Sequence, residues 1–244
     1  MNKIVVTGAA GLLGWHASAR LHADNCAAAF KGEALPFELV RLDRAAFSDA
    51  ESLTHAMAGA DVILHFAGVN RGADDDVEAA NPAIATSLVA AIGRSDARPH
   101  IVYANSTHAA SDTPYGRSKR KAAEILAGNA GGFCNLILPH IFGEGARPYY
   151  NNVTATLIDQ VISNQTPTIN PDGVVHLLHA GEAASIAIKA GLDAQAGNLV
   201  LAARTTGVPA LYEQLLAFHR SYGANVYPDL TDDFNLALFN SYRA

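Results

Sequence analysis

Tyr115 and Lys119 stand four residues apart in Thr113-Pro114-Tyr115-Gly116-Arg117-Ser118-Lys119, ahead of Ala122, Ile125 and Leu126, which recur at helical spacing. Residues four apart on a helix share one face, one above the other. A phenol ordinarily ionises near pH ~10, and an ammonium a few ångströms away favours the phenolate and draws that value down. A phenol tuned in this way exchanges a proton with a sugar hydroxyl or a carbonyl. Ser106 ends the apolar run His100-Ile101-Val102-Tyr103-Ala104-Asn105 and is placed to hydrogen-bond the same oxygen, with Thr107 as runner-up. By itself a Tyr–Lys pair is more often a surface feature of an amphipathic helix, so the elements around it must support the chemistry.

They begin with Lys3-Ile4-Val5-Val6, a buried strand by its β-branched apolar run, followed by Thr7-Gly8-Ala9-Ala10-Gly11-Leu12-Leu13-Gly14 and a helix from Trp15. Gly8, Gly11 and Gly14 allow a tight turn, close approach of backbone to a pyrophosphate, and close helix–strand packing. Leu12 and Leu13 supply N–H groups at the positive end of the helix dipole. Residues 25–36 read as an irregular, Ala-rich loop. The strand Phe37–Asp43 then ends in Asp43-Arg44. An acid there hydrogen-bonds the adenine ribose, whereas an Arg accepts a 2′-phosphate. Asp43 coming first favours NAD, with NADP left open.

Ser48 reads as the cap of the next helix, with Leu53, Met57 and Ala60 facing inward. The strand from Asp61 leaves through Phe66, Ala67 and Gly68, small enough at its end for a cofactor to approach, while His65 inside it reads as a packed core histidine. Asp74-Asp75-Asp76 lacks calcium-loop spacing and reads as an acidic turn before a helix over 77–93. No metal is expected. Asn81 in that helix faces either the crevice or solvent. Cys134–Leu138 is a further strand, whose exit through Pro139, Ile141 and Phe142 lies beside the nicotinamide. Helices are expected over 152–163, 181–191 and 210–222, with a short strand at 199–201. His140, Asn151, Asn152 and Arg204 are candidate substrate contacts, since amides and an Arg suit a sugar and a diphosphate.

The totals set bounds. The chain has 244 residues, half of them hydrophobic, and a net charge of −6 without a basic cluster larger than Arg117–Lys121, which argues against a nucleic-acid partner. Cys26 and Cys134 are too few for a disulfide framework. A strand starting at residue 3 leaves no room for a signal peptide, and no apolar run reaches membrane-spanning length, so a cytoplasmic location is expected.

The joint pattern resembles the extended short-chain dehydrogenase/reductase (NAD-dependent epimerase/dehydratase) family: TGxxGxxG, an acid ending the second strand, HxAG ending a later one, then Ser and YxxxK. The resemblance runs from residue 3 to about 190. It implies Ser106, Tyr115 and Lys119 as catalytic residues, and Gly8, Gly11 and Gly14 as the pyrophosphate loop. It also implies a homodimer through helices at about 77–93 and 115–127. His65–Arg71, the short Ser106-to-Tyr115 interval, Ile141-Phe142-Gly143 and Arg147–Asn152 resemble one group more closely. That group is the reductase domain of the capsular-polysaccharide enzyme of the UDP-N-acetyl-L-fucosamine pathway, whose cupin domain would have no counterpart in this chain. Ile137 and His140 stand where the family places an Arg and an Asn, and Gly181-Glu182 where it places an Asp pair.

The expected fold is α/β, a Rossmann-type doubly wound parallel sheet. Residues 1–145 would bind NAD(P), and 146–244 would form a small substrate-binding region interleaved with the sheet. The expected reaction is hydride transfer to a 4-keto nucleotide sugar. The alternatives are a C4 epimerase that retains its NAD and a non-catalytic dinucleotide-binding protein.

Overall fold

The computed structural model describes residues 1–128 and 131–244. In chain order the elements are β1 (Asn2–Thr7), α1 (Leu12–Phe30), β2 (Phe37–Leu42), α2 (Ala50–Met57), β3 (Val62–His65), α3 (Asp74–Arg94), β4 (His100–Ser106) and α4 (Pro114–Ala127). They continue as β5 (Phe133–Leu138), β6 (His140–Phe142), α5 (Val153–Ile162), β7 (Val174–His179), α6 (Ala180–Leu192), β8 (Gly197–Val200), β9 (Arg204–Gly207), α7 (Val208–Gly223) and α8 (Asp233–Arg243). The chain divides into two compact units, residues 1–138 with 184–201, and residues 139–183 with 202–244.

The first unit is a six-stranded parallel sheet in the order β2-β1-β3-β4-β5-β8. Strands covered on both faces read as continuous apolar runs, and Ile4, Val5 and Val6 are accordingly fully buried. On one face Val5, Ile63, Ile101 and Tyr103 pack against Leu53 and Met57 of α2, Leu88 and Ile92 of α3, and Leu126 of α4. Gly191 of α6 comes so close to β3 that an added Cβ would stand 2.5 Å from Val62 Cγ1. This is the doubly wound α/β fold expected.

Three local expectations are corrected. Residues 25–30 are not loop, because α1 continues to Phe30. Ala27, Ala28 and Ala29 are strong helix formers, and Asn25 ties the helix to β2 through both its amide atoms, with Phe37 O at 2.9 Å and Phe37 N at 3.1 Å. The cap of α2 is Asp49, accepting from the Glu51 and Ser52 amides, while Ser48 ends a preceding 3-10 turn. The acids at 74–76 belong to α3 itself, in its first turn, where their charge complements the helix dipole.

The second unit holds a small sheet in the order β6-β7-β9, with β6–β7 parallel and β7–β9 antiparallel. Phe142, Leu157, Leu177, Leu215, Phe218 and Phe239 form its core with α5, α7 and α8. Strands β7 and β9 and helix α8 were not expected from the residues.

Candidate active site

The glycine turn after β1 is built as close approach demands. Gly8 has φ +67°, open to glycine at no steric cost, and a Cβ there would stand 2.7 Å from Ala67 N. At Gly14 a Cβ would lie 2.2 Å from Gly8 O. Gly11 donates to Gly8 O at 2.9 Å and caps α1 without a side chain. No acid stands in the first turn of that helix, so no side-chain charge there offsets the positive dipole end at which Leu12 and Leu13 carry the leading N–H groups. A cradle of backbone that any side chain would fill suits a pyrophosphate.

The neighbouring strand ends converge on this turn. Ala9 N donates to Leu42 O at 3.0 Å, which brings exposed Asp43 alongside. The Asp43 carboxylate accepts from Ala45 N at 2.9 Å, and Arg44, also exposed, heads the following 3-10 turn. After β3, Phe66 N donates to Thr7 O and Ala67 N to Thr7 Oγ1, each within 3.3 Å. Thr7 Oγ1 also lies 2.8 Å from His65 Nδ1. Burial, aided by Lys119, lowers the His65 pKa to about 3. His65 is a core residue, stacked on Tyr103 with ring centroids 5.5 Å apart.

Asn81, which the sequence left open between crevice and solvent, is buried and braces this end of the sheet. Its Oδ1 accepts from Val69 N, and its Nδ2 donates to Val69 O and to Ser118 Oγ, all at 2.9 Å. Ser118 in turn donates to Tyr115 O at 2.8 Å. The turn containing Ala67 and Gly68 is thereby tied to the helix carrying Tyr115. An amide on an otherwise Ala-rich inner stripe was the available signal.

Ser106, Tyr115 and Lys119 come together at the carboxyl end of β4. Thr113 caps α4, accepting from Gly116 N at 3.1 Å, with Pro114 at the first helical position. Gly116 permits the helix to press on the turn before it, since a Cβ would lie 2.4 Å from Ser111 O. The Ser106 hydroxyl accepts from His108 N at 3.1 Å and lies near enough to the Tyr115 phenol to favour its ionised form. Thr107 is exposed at the start of the 3-10 turn. Lys119 is 5% exposed, with Nζ 2.5 Å from Ala104 O and 4.1 Å from the centroid of the Tyr103 ring.

The electrostatics correct the expectation about this pair. Burial pushes the Tyr115 phenol above its ordinary value, and the opposing influence is the Ser106 hydroxyl rather than Lys119. Lys119 is itself drawn down to about 7, because burial disfavours its charge. At neutral pH Tyr115 is thus a protonated phenol, in the state of a proton donor.

The remaining candidates lie on the second unit. Phe142 is fully buried against Phe234 and His179, with no side-chain surface for a cofactor. Asn152 caps α5 through Oδ1 and donates from Nδ2 to Ile141 O at 3.0 Å, so its amide holds the chain exit in place. Pro139 precedes β6, and His140 and Ile141 lie on it. Asn151 has φ +52° just before α5, and Arg204 opens β9 with its guanidinium 3.5 Å from the Asp232 carboxylate.

Residues 4–201 match the model of the NAD dependent epimerase/dehydratase family. A curated relative, UDP-2-acetamido-2,6-beta-L-arabino-hexul-4-ose reductase of Pseudomonas aeruginosa, is 27% identical over 252 residues, covering 98% of this chain and 64% of its own. The capsular polysaccharide assembling protein CapF of Staphylococcus aureus superposes with a TM-score of 0.78 at 24% identity, over 99% of this chain and 65% of that one. UDP-N-acetylglucosamine 4-epimerase of Bacillus cereus has the same fold, with a TM-score of 0.78 at 17% identity over 100% and 96% of the two chains. The chain thus spans somewhat under two thirds of the reductase and of CapF.

Proposed function

This chain belongs to the NAD dependent epimerase/dehydratase family, and we propose that it reduces a 4-keto nucleotide sugar with NAD(P)H. The observation that carries this reading is that Ser106 and Tyr115 come together on the same unit as the glycine cradle, with the phenol kept protonated by burial. Support for the sugar comes from the similar P. aeruginosa reductase, whose name specifies a UDP-linked hexul-4-ose.

When bound, the nicotinamide supplies the hydride. Gly8, Gly11, Gly14 and the amides of Leu12 and Leu13 would hold the pyrophosphate, and Asp43 the adenine ribose. Asp43 standing ahead of Arg44 favours NAD over NADP. As the sugar carbonyl gains negative charge, Tyr115 gives its phenolic proton to that oxygen and Ser106 hydrogen-bonds the same atom. Lys119 steadies the phenolate left behind. A raised phenol pKa suits this direction, because a donor must arrive protonated.

The test uses NADH deuterated at nicotinamide C4 with a UDP-linked 4-keto sugar. Stoichiometric cofactor oxidation with deuterium at sugar C4 is expected. Interconversion of C4 epimers with no net cofactor change would instead identify an epimerase, and tight cofactor binding with no turnover of either kind a binding protein.

A further inference from the structure

Three asparagines on adjacent strands of the first unit form a chain of amides that ends on Ser106. The Ser106 N–H donates to Asn105 Oδ1 at 2.8 Å, Asn105 Nδ2 donates to Asn135 Oδ1 at 2.9 Å, and Asn135 Nδ2 donates to Asn198 Oδ1 at 2.8 Å. The orientation of every amide follows from its first member. A backbone N–H can only donate, so Asn105 must turn its oxygen to Ser106 and its NH2 to β5, and Asn135 repeats the choice towards β8. Asn105 is 5% exposed and shares its strand face with Ile101 and Tyr103, where an apolar residue would be the ordinary occupant. A buried amide is destabilising unless both of its ends are bonded. Here one end is given to Ser106, whose hydroxyl lies beside Tyr115, and the other is secured from the next strand.

We propose that Asn105 is a positioning residue for Ser106, with Asn135 and Asn198 holding its amide in the required orientation. The proposal rests on the reading of Ser106, Tyr115 and Lys119 as a reductase site. Fixing the Ser106 backbone directs its Oγ, which accepts from His108 N, towards the phenol whose ionised form it favours. The titratable groups around that phenol are Tyr103 on β4, His108 in the following turn and Lys119 on its own helix. A substitution at 105 alters none of these, so a change in the phenol reports on Ser106. The amide chain also borders a groove of about 380 Å³ lined by Ser106, Thr107 and Arg120 among others, so trimming exposed Asn198 opens no hole in the packed core.

The experiment titrates Tyr115 by ¹³Cζ-tyrosine NMR, its signal assigned with Tyr115→Phe, in the full chain and in its Asn105→Ala, Asn198→Ala and Ser106→Ala variants. The kcat, KM and NADH Kd of each are measured in parallel. Asn105→Ala is expected to raise the Tyr115 pKa as Ser106→Ala does, and to lower kcat about tenfold with the NADH Kd within about twofold. Asn198→Ala should move both in the same direction by less, and as an exposed position it serves if the buried variant does not fold. A Tyr115 titration that moves in Ser106→Ala but in neither asparagine variant would overturn the proposal, as would loss of NADH binding in step with kcat. Absence of reductase activity in the unaltered protein would refute the reductase reading, and the titration would still decide the role of Asn105.

Discussion

Buried ionisable groups on β3 and α4 tie stability to pH in opposite ranges of the scale. His65 takes its proton at about 3 when folded and near 6.5 when unfolded, so folding excludes a proton between those values. Its contribution is complete above 6.5 and is lost as pH falls towards 3. His65→Gln should therefore flatten the acid limb of a urea-unfolding series over that window. Lys119 behaves alike higher up, its folded value of about 7 lying below the ordinary 10.5. Its contribution is full above 10.5 and is lost as pH falls to about 7, so stability should rise from pH 7 to 8.5, and Lys119→Met should remove that rise. A third prediction concerns Gly14, where a Cβ would stand 2.2 Å from backbone at Gly8. Gly14→Ala should destabilise the fold by about 1–3 kcal/mol, with an NADH Kd raised at least about tenfold on titration. The sequence brought the phenol and its proposed partners to notice by their spacing, but their pKa directions depend on burial, which spacing does not reveal.

At the scale of elements, the strand–turn–helix opening was legible because three glycines, a β-branched run and a helical stripe agree over fourteen residues or so. The extent of α1 was not, since Ala-rich sequence reads equally as loop or helix until Asn25 is seen bridging to Phe37. Asn81 was visible as an anomaly without a direction. Its three hydrogen bonds join the turn after β3 to α4, so Asn81→Leu leaves Val69 and Ser118 without their buried partner. A loss of about 1–3 kcal/mol is expected in chemical unfolding. Strands β7 and β9 escaped notice for a different reason. Their sheet has three short members, and β9 is the polar run Arg204-Thr205-Thr206-Gly207, which carries no apolar alternation. Helix α8 presents Leu238, Phe239 and Tyr242 inward, a stripe set within a stretch otherwise rich in acids and amides.

For the molecule as a whole, the residues around the glycine turn and the Tyr–Lys pair were readable because they lie on the first unit, in elements that follow one another closely in sequence. The second unit draws its residues from two separated stretches, 139–183 and 202–244, and two candidate substrate contacts there, Asn152 and Arg204, are engaged with Ile141 and Asp232. Among the described residues no helix is long and apolar enough to cross a membrane. The most direct measurement compares NADH oxidation by the unaltered protein and by Tyr115→Phe, using a UDP-linked 4-keto sugar, with the NADH Kd of each determined by calorimetry. The expected result is a kcat lower by at least about 100-fold in the variant, with the Kd within about twofold. Turnover that survives the loss of the hydroxyl would contradict a proton delivered by Tyr115.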